Sequence, residues 1–433
     1  MKLLIRQATL VTVNARDEVL EAADLAIDDG KIVGVGRVPQ GFMPDRVIAG
    51  HDRIVLPGLI NTHTHLSMTL MRNYADDLAF WPWLLERIKP LEDHLCADDV
   101  RAGARLGLAE LISSGTTCFH DMYFFMDQVA EEVARCGLRA RLTGALFDNS
   151  GQGEQLLEAA VGLHERWHGG ADGRVTVGLG PHSPYLCSRE YLQEILEEAE
   201  RLNCGLHIHV AETEREVAES RDRLGLTPVQ LLGELGCFRV PVVAAHGIYV
   251  DATDQRLLRE GSVSIAHNPS SNLKLANGIA PVQTLLEQGI NVSLGTDGAA
   301  SNNNLNLFEE MHLAALLQKW LRRDAEALPA RQVLRMATIQ GAKALGLETQ
   351  IGSLEAGKRA DLIMIDAAQP HLAPRHDPIA LLVYSAQAAD VCIVMVDGKV
   401  LLEDRELKTL DPETVLTEAS EQARRLMQRS GLH

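Results

Sequence analysis

Residues 175–212 read VTVGLGPHSPYLCSREYLQEILEEAERLNCGLHIHVAE, and the order of patterns within them decides the fold. An aliphatic, β-branched run, VTVGLG, stops before His182. A helical stretch follows over 188–203, where Ser188 is placed to cap and Tyr191, Ile195 and Leu202 share one side. A second apolar run, GLHIHV, then stops before Glu212. Continuous apolar runs separated by helices are how parallel strands buried on both faces read.

The same unit recurs in both directions along the chain. Comparable runs are IVLPGLI before Asn61, TTCF before His120, RLTGAL before Phe147, VVAA before His246, VSIA before His267 and NVSLG before Thr296. LTPVQLLGELG (226–236) supplies another of the intervening helices. Eight runs in succession predict an α/β chain closed into a (β/α)8, TIM-like barrel. An open doubly wound sheet would alternate similarly but carries a Gly-rich phosphate loop after its first strand, and none follows here.

The two ends break the pattern. ATLVTVN and DLAIDDGKIVGVG place Asp29-Gly30 between alternating runs, as in a tight hairpin; DLIMID (361–366) and VCIVMVDGKVLLED (391–404) repeat the scheme with Asp397-Gly398. Both terminal segments therefore read as short strands that pair into one small β-sandwich built from both chain ends. From Asp411 onward the chain reads as an amphipathic helix packed on the barrel. The expected division is sandwich over 1–56, barrel over 57–349, sandwich again over 350–410 and a helix over 411–433.

Composition narrows the partners. The chain has 433 residues, 46% hydrophobic and 23% charged, and its 41 Lys+Arg against 59 Asp+Glu leave a net charge of -18. That balance, without a long basic cluster, argues against nucleic acid or lipid headgroups and for a small neutral or zwitterionic substrate. Seven cysteines with no C-x-x-C pair fit reduced, packed thiols. The N-terminal run is interrupted by Arg6 and Gln7 and reads as a strand, and no uncharged run approaches the ~18 residues of a membrane span, so a cytoplasmic location is expected.

The chemistry is written at the strand ends. His63 and His65 follow the first barrel strand two residues apart, so both side chains face one side. The fifth run ends His207-Ile208-His209-Val210-Ala211-Glu212, the sixth at His246, and the eighth at Thr296-Asp297-Gly298. Catalytic groups of such barrels come from the C-terminal ends of several strands. Three imidazoles and a carboxylate with a position left for water suit a catalytic Zn2+, and Fe2+ accepts the same set. Of the two histidines in the fifth run, His209 lies at the rim and is the expected ligand, with His207 a histidine one layer lower.

The stretches PGLINTHTH (57–65), ADDLAFWPWL (75–84), GPHSPYLCS (180–188), HVAETEREV (209–217), AAHGIYV (244–250), IAHNPSSNLKLANGIAP (265–281) and GTDGAASNNNLNLFEEM (295–311) carry a resemblance over essentially the whole chain. It is similar to amidohydrolase-superfamily enzymes, and within them resembles the 5'-methylthioadenosine/S-adenosylhomocysteine deaminases. That resemblance implies one divalent metal per subunit on His63, His65, His209 and Asp297. It also implies that the adenine ring of a purine nucleoside is deaminated by hydrolysis. Dinuclear relatives use a carboxylated Lys at the end of strand four; here that strand ends GLGPHSPYLC, with no Lys.

In this reading Asp297 accepts a proton from the metal's water, His246 holds that water or the developing alkoxide, and Glu212 moves protons to the ring nitrogen and the departing amine. His246 as a fourth ligand is the alternative. Glu92, in RIKPLEDHL, matches the family's ribose-binding carboxylate, and His182 matches a residue that approaches purine and ribose; Phe80, Trp81 and Trp83 could wall the pocket. One departure bears on the substrate. Relatives that accept S-adenosylhomocysteine carry arginines around strand three, whereas LTGALFDNSGQGEQLLEA (142–159) has none, leaving only Arg139 and Arg141 nearby. The expected substrate is thus an adenosine with an apolar 5' group such as 5'-methylthioadenosine. The rivals are guanine or another base deaminase, a triazine hydrolase, or a metal-free binding protein. Relatives are often homo-oligomers, but no self-complementary patch is marked.

Overall fold

The computed structural model describes residues 1–432. Five strands open the chain: β1 (Lys2–Val11), β2 (Val19–Asp28), β3 (Lys31–Val35), β4 (Arg46–Ala49) and β5 (Arg53–Pro57). A parallel set follows, comprising β6 (Leu59–Thr64), β7 (Thr116–Tyr123), β8 (Arg139–Leu146), an interrupted pair β9 (Val175–Val177) and β10 (Gly180–Pro181), β11 (Leu206–Val210), β12 (Val242–His246), β13 (Ser264–His267) and β14 (Asn291–Leu294). Each run singled out in the sequence contributes a strand to this set, but the first, IVLPGLI, is divided: residues 54–57 belong to β5, in the terminal sheet, and only Leu59 and Ile60 open β6.

β6, β7 and β8 pair in order and β8 pairs with β9 and β10, while β11 to β14 form a second parallel ladder. Two seams join the ladders. On one side the His207 amide donates to the Leu179 carbonyl at 2.9 Å and the His209 amide to the His182 carbonyl at 2.9 Å. On the other, the Thr296 and Asp297 amides donate to the His63 carbonyl at 3.1 and 3.0 Å, and Thr62 Oγ1 donates to the Leu294 carbonyl at 2.9 Å. Every residue of β6, β7, β11, β12 and β13 is buried, which is why these strands read as continuous apolar runs rather than alternating ones.

The helices between strands start where capping chemistry places them. Ser188 Oγ accepts from the Tyr191 amide at the head of the helix Arg189–Leu202, and Thr227 with Gln230 forms a capping box on Pro228–Glu234.

After the ring come β15 (Leu362–Asp366), β16 (Val391–Val396), β17 (Lys399–Glu403) and β18 (Glu406–Leu407). They join the opening strands in one nine-stranded sheet ordered β18-β17-β16-β15-β5-β1-β2-β3, with β4 beside β1. The junction between chain ends is the antiparallel β5–β15 pair. Leu3, Ile5, Leu25 and Ile27 from one end and Leu362, Met364 and Met395 from the other gather in a single apolar cluster.

Both hairpins turn at the Asp-Gly pairs, with φ of 46° and 74° at Asp29 and Gly30 and of 48° and 73° at Asp397 and Gly398. The two turns touch. A Cβ at Gly30 would lie 2.6 Å from the Asp397 carbonyl oxygen, and one at Gly398 would lie 2.9 Å from Gly30 Cα. Here glycine is required by close approach as well as by φ.

The segment 350–405 is not all strand and turn. Pro378–Tyr384 is a helix whose cap Asp377 accepts from the Ile379 and Ala380 amides, with Leu381, Leu382 and Val383 buried. An Asp-Pro start fixes the helix entry, and the short apolar run behind it cannot be told from a strand by periodicity. The last helix, Pro412–Ser430, lies on the helix Ala97–Ser113, with Val415, Ala419 and Leu426 buried and Gln422 Nε2 donating to Asp99 Oδ1 at 3.0 Å.

Candidate active site

The C-terminal ends of β6, β11, β12 and β14 deliver His63, His65, His209, His246 and Asp297 to one point. Ligand-type atoms of His63, His209 and His246, and of His63, His65 and Asp297, lie within 4.8 Å of one another in two overlapping groups. Asp297 Oδ1 is 3.5 Å from His63 Nε2 and 3.3 Å from His65 Nε2. Three strand-end residues leave ordinary backbone space to aim this way: Ala211 at φ 52°, His246 at 75° and Asp297 at 62°. Such conformations persist only where the surroundings over-determine them.

The tautomers can be read from the outer partners. His65 Nδ1 donates to the Met122 carbonyl at 2.6 Å and His209 Nδ1 to the His182 carbonyl at 2.7 Å, since a carbonyl only accepts. His246 Nδ1 donates to Asn272 Oδ1 at 2.8 Å. For His63 the chain is longer. Thr143 spends its hydroxyl proton on the Asp121 carbonyl at 2.7 Å, so His207 Nδ1 must donate to Thr143 Oγ1 at 3.3 Å. His207 Nε2 then accepts from His63 Nδ1 at 2.8 Å. All four rings therefore turn an unprotonated Nε2 inward.

Two of these lone pairs, on His65 and His209, face each other at 3.2 Å, and Nε2 of His63 and of His246 are buried without a partner. Lone pairs converging with a carboxylate repel unless a cation sits among them, so the donor set fits a divalent metal. Burial holds the His63 ring down at about 4 and also lowers His209 and His246, keeping them neutral for coordination. Asp297 is buried beside these rings. Ser271 Oγ donates to its Oδ2 at 2.6 Å and the Gly298 amide to Oδ1 at 2.8 Å.

Glu212 sits beside this cluster. Its Oε2 is 3.8 Å from His246 Nε2, and its Oε1 accepts from Asn277 Nδ2 at 3.0 Å. Burial pushes this carboxyl well above its ordinary value, and the charges of Asp297 and Glu216 add to the shift. Burial thus favours the protonated form of Glu212. Glu216, one turn on, pins its backbone by accepting from the Glu212 and Ala211 amides at 2.8 and 3.1 Å.

A cavity of about 580 Å³ opens over the cluster. Glu92, His182 and Glu212 line it, as do Phe80 and Trp83. Trp81 stands behind, its ring 5.7 Å from that of Tyr185. Burial pushes Glu92 up to about 7, against the pull of the neighbouring Tyr123 hydroxyl, and presses His182 down to about 3. Arg139 and Arg141 do not reach this cavity, because they occupy the opposite end of β8 from Ala145, which lines it. No Lys or Arg is among the lining residues.

The sequence did not point to Ser271, Asn272 and Asn277, nor to Glu216, Thr143, Tyr123 and Tyr185. The first three lie in the polar run NPSSNLKLAN directly after β13, and that position was their only signal.

Comparison with known proteins gives a consistent answer. Residues 54–401 match the amidohydrolase family. The chain is 47% identical over 431 residues to the 5-methylthioadenosine/S-adenosylhomocysteine deaminase of Thermoanaerobacter pseudethanolicus, covering 99% of this chain and 100% of that one. It is 47% identical over 422 residues to the enzyme of the same name from Moorella thermoacetica, covering 97% and 98%. Among solved structures, a zinc-bound adenosine deaminase from Xanthomonas campestris superposes with a TM-score of 0.94 at 35% identity, covering 98% of each chain. A zinc complex of atrazine chlorohydrolase from Arthrobacter aurescens gives 0.91 at 27% identity, covering 97% and 100%.

Proposed function

The chain belongs to the amidohydrolase family, and on that premise we propose that it is a metal-dependent aminohydrolase that deaminates the adenine ring of 5'-methylthioadenosine, and of S-adenosylhomocysteine or adenosine less readily. The observation that carries this reading is the buried Glu212 carboxyl, whose Oε2 lies 3.8 Å from His246 Nε2 at the edge of the imidazole cluster, where burial favours its protonated form. Displacing ammonia from a ring requires a proton on the ring nitrogen and then one on the amine; a protonated carboxyl at that place supplies the first, and the proton taken from water supplies the second.

His63, His65, His209 and Asp297 would hold one divalent ion, most simply Zn2+ as in the zinc-bound neighbours, with Fe2+ accommodated by the same donors. When bound, the ion lowers the pKa of its water from about 16 toward roughly 7 and so supplies hydroxide at neutral pH. Asp297 takes the proton released there. His246, whose Nδ1 is committed to Asn272, offers Nε2 to the water and to the oxygen that adds at purine C6. Glu212 protonates the adjacent ring nitrogen; Asp297 passes the water's proton to the amine, the C6–N bond breaks with its electron pair leaving on ammonia, and the C6 hydroxyl returns a proton to Glu212, leaving a hypoxanthine ring.

Glu92 and His182 on the cavity wall serve as contacts for the ribose and the purine edge. No Lys or Arg lines the cavity, so it offers no cation to a homocysteine carboxylate, which supports the preference for the methylthio compound.

We read the parallel strand set as a (β/α)8 barrel over 57–349 and the terminal sheet as a small sandwich formed by 1–56 and 350–410, followed by the C-terminal helix Pro412–Ser430. No helix among the described residues is long and apolar enough to cross a membrane, and all seven cysteines are free, which suits a reducing cytoplasm.

The test is ammonia release by metal-loaded protein from 5'-methylthioadenosine, S-adenosylhomocysteine, adenosine and guanine. The expected order of kcat/KM puts the methylthio compound first. Equal use of S-adenosylhomocysteine would defeat the preference, and no ammonia from any of them would defeat the deaminase reading.

A further inference from the structure

The strands frame a second cavity at their N-terminal ends, on the opposite side of the ring from the imidazole cluster. It measures about 1020 Å³, and among its lining residues are Arg141, Thr176, Ser262, Ser264 and Lys343. No Asp or Glu lines it, in a chain whose net charge is -18. Side chains alternate along β8, so Arg141, Thr143 and Ala145 share the inward face. Ala145 lines the upper cavity and Thr143 meets His207 in the middle. Arg141 is therefore the floor.

The guanidinium sits in a slot made by two glycines. A Cβ at Gly178 would lie 3.3 Å from its Nε and Nη2, and one at Gly205 would lie 2.5 Å from Nη2. Yet no carboxylate or other acceptor meets Arg141 among the described residues, and burial works against its charge. Arg139, two residues earlier, shows the ordinary arrangement, paired with Asp361 and Asp397 at 2.9 Å each. Lys343, exposed on the helix Ile339–Ala344, offers a second cation at the rim.

A planar fork of donors held in a fixed slot, with hydroxyls and an ammonium around it and no anion supplied by the chain, matches the geometry of an oxyanion with several acceptor oxygens. We propose that this floor cavity binds a phosphate group, free or carried by a small metabolite, with Arg141 as its bidentate clamp and Lys343 closing on it from the rim.

Isothermal titration of the full-length, metal-loaded protein in a phosphate-free buffer tests this with two probes, inorganic phosphate and ribose 5-phosphate, against sodium chloride at matched ionic strength. Both probes should bind and chloride should not; tighter binding of the sugar phosphate would identify a phosphorylated metabolite, and equal binding free phosphate. Arg141→Gln should weaken binding roughly tenfold or more, and Lys343→Gln a few-fold, as expected for losing a charged donor inside and at the edge of a site. Phosphate can also meet the metal cluster, so the difference between wild type and Arg141→Gln is the readout. Should that variant fail to fold, Arg141→Lys keeps the charge and loses the fork, and its affinity must also fall. Binding unchanged in the Arg141 variant, or reproduced by chloride, would overturn the proposal.

Discussion

Glu212 and His207 lie within a few residues of the same ligand and act on different things, which makes them separable by substitution. Glu212→Gln leaves the imidazoles and Asp297 untouched, so the variant should retain its full metal content while kcat drops by about 10²–10⁴-fold, the usual worth of a positioned acid. Metal analysis beside ammonia release checks this, and near-normal turnover would remove Glu212 from the reaction. Because its acid form does the work, the wild-type rate should also fall as pH rises through the raised pKa of this group. His207 touches no substrate. It accepts from His63 Nδ1 and so keeps that ring's Nε2 unprotonated toward the ion. His207→Phe should cost roughly 10–100-fold in metal affinity, as loss of a ligand's outer partner does. Competition with a chelator measures it, and unchanged affinity would show that packing alone orients His63.

Strand ends were legible because a buried parallel strand is an apolar run that stops at its functional residue. His63, His65, His209, His246 and Asp297 are each the polar residue at such a stop, and their convergence follows once the strands close in order. Ser271, Asn272 and Asn277 were not legible. Their roles exist only because the helix Pro269–Lys274 turns back beneath the strand ends, and nothing local in NPSSN says which hydroxyl or amide will face Asp297 or His246. That helix is itself held by a neighbouring element. Glu310, on the helix Leu307–Arg322, accepts from the Ser270 amide at 3.1 Å and from Asn302 Nδ2 at 2.7 Å, and burial pushes its carboxyl up to about 7. A folded pKa above the unfolded value of 4.5 gives stability that is fully present at low pH and is lost as pH rises through 7. Glu310→Gln removes this dependence. Relative to wild type, the variant should gain about 3 kcal/mol in unfolding free energy between pH 4.5 and pH 8. Urea denaturation at the two pH values reads the difference, and parallel wild-type and variant curves would mean that Glu310 is ionised in the fold.

At the scale of the whole molecule the question is what locks the terminal sheet to the strand ring, and a single side chain takes part in both. Arg139 starts β8, and its guanidinium pairs with Asp361 just before β15 and with Asp397 in the second hairpin turn, both at 2.9 Å. The Asp397 amide donates to Asp361 at 2.8 Å, and the same turn rests against Gly30 in the first hairpin. The ring, the C-terminal strands and the N-terminal strands thus meet around one buried guanidinium, 4% exposed in its side chain, while Asp361 is 1% exposed. None of this was readable beforehand, since Arg139 and Asp361 are 222 residues apart and only the pairing of β5 with β15 brings them together. Arg139→Met preserves most of the packing volume but strands Asp361, 1% exposed, in a low-dielectric joint, while Asp397 keeps Arg359 at 3.4 Å. Breaking a buried pair from one side costs about 3–5 kcal/mol, because the remaining charge has neither water nor partner. Chemical denaturation of the metal-loaded protein should show that loss, with kcat below the melting range unchanged, because Arg139 lies at the far end of its strand from the imidazole cluster. A loss under about 1 kcal/mol would mean that Asp361 finds water when Arg139 is gone, and the joint would then be held by the apolar cluster and the paired hairpin turns instead.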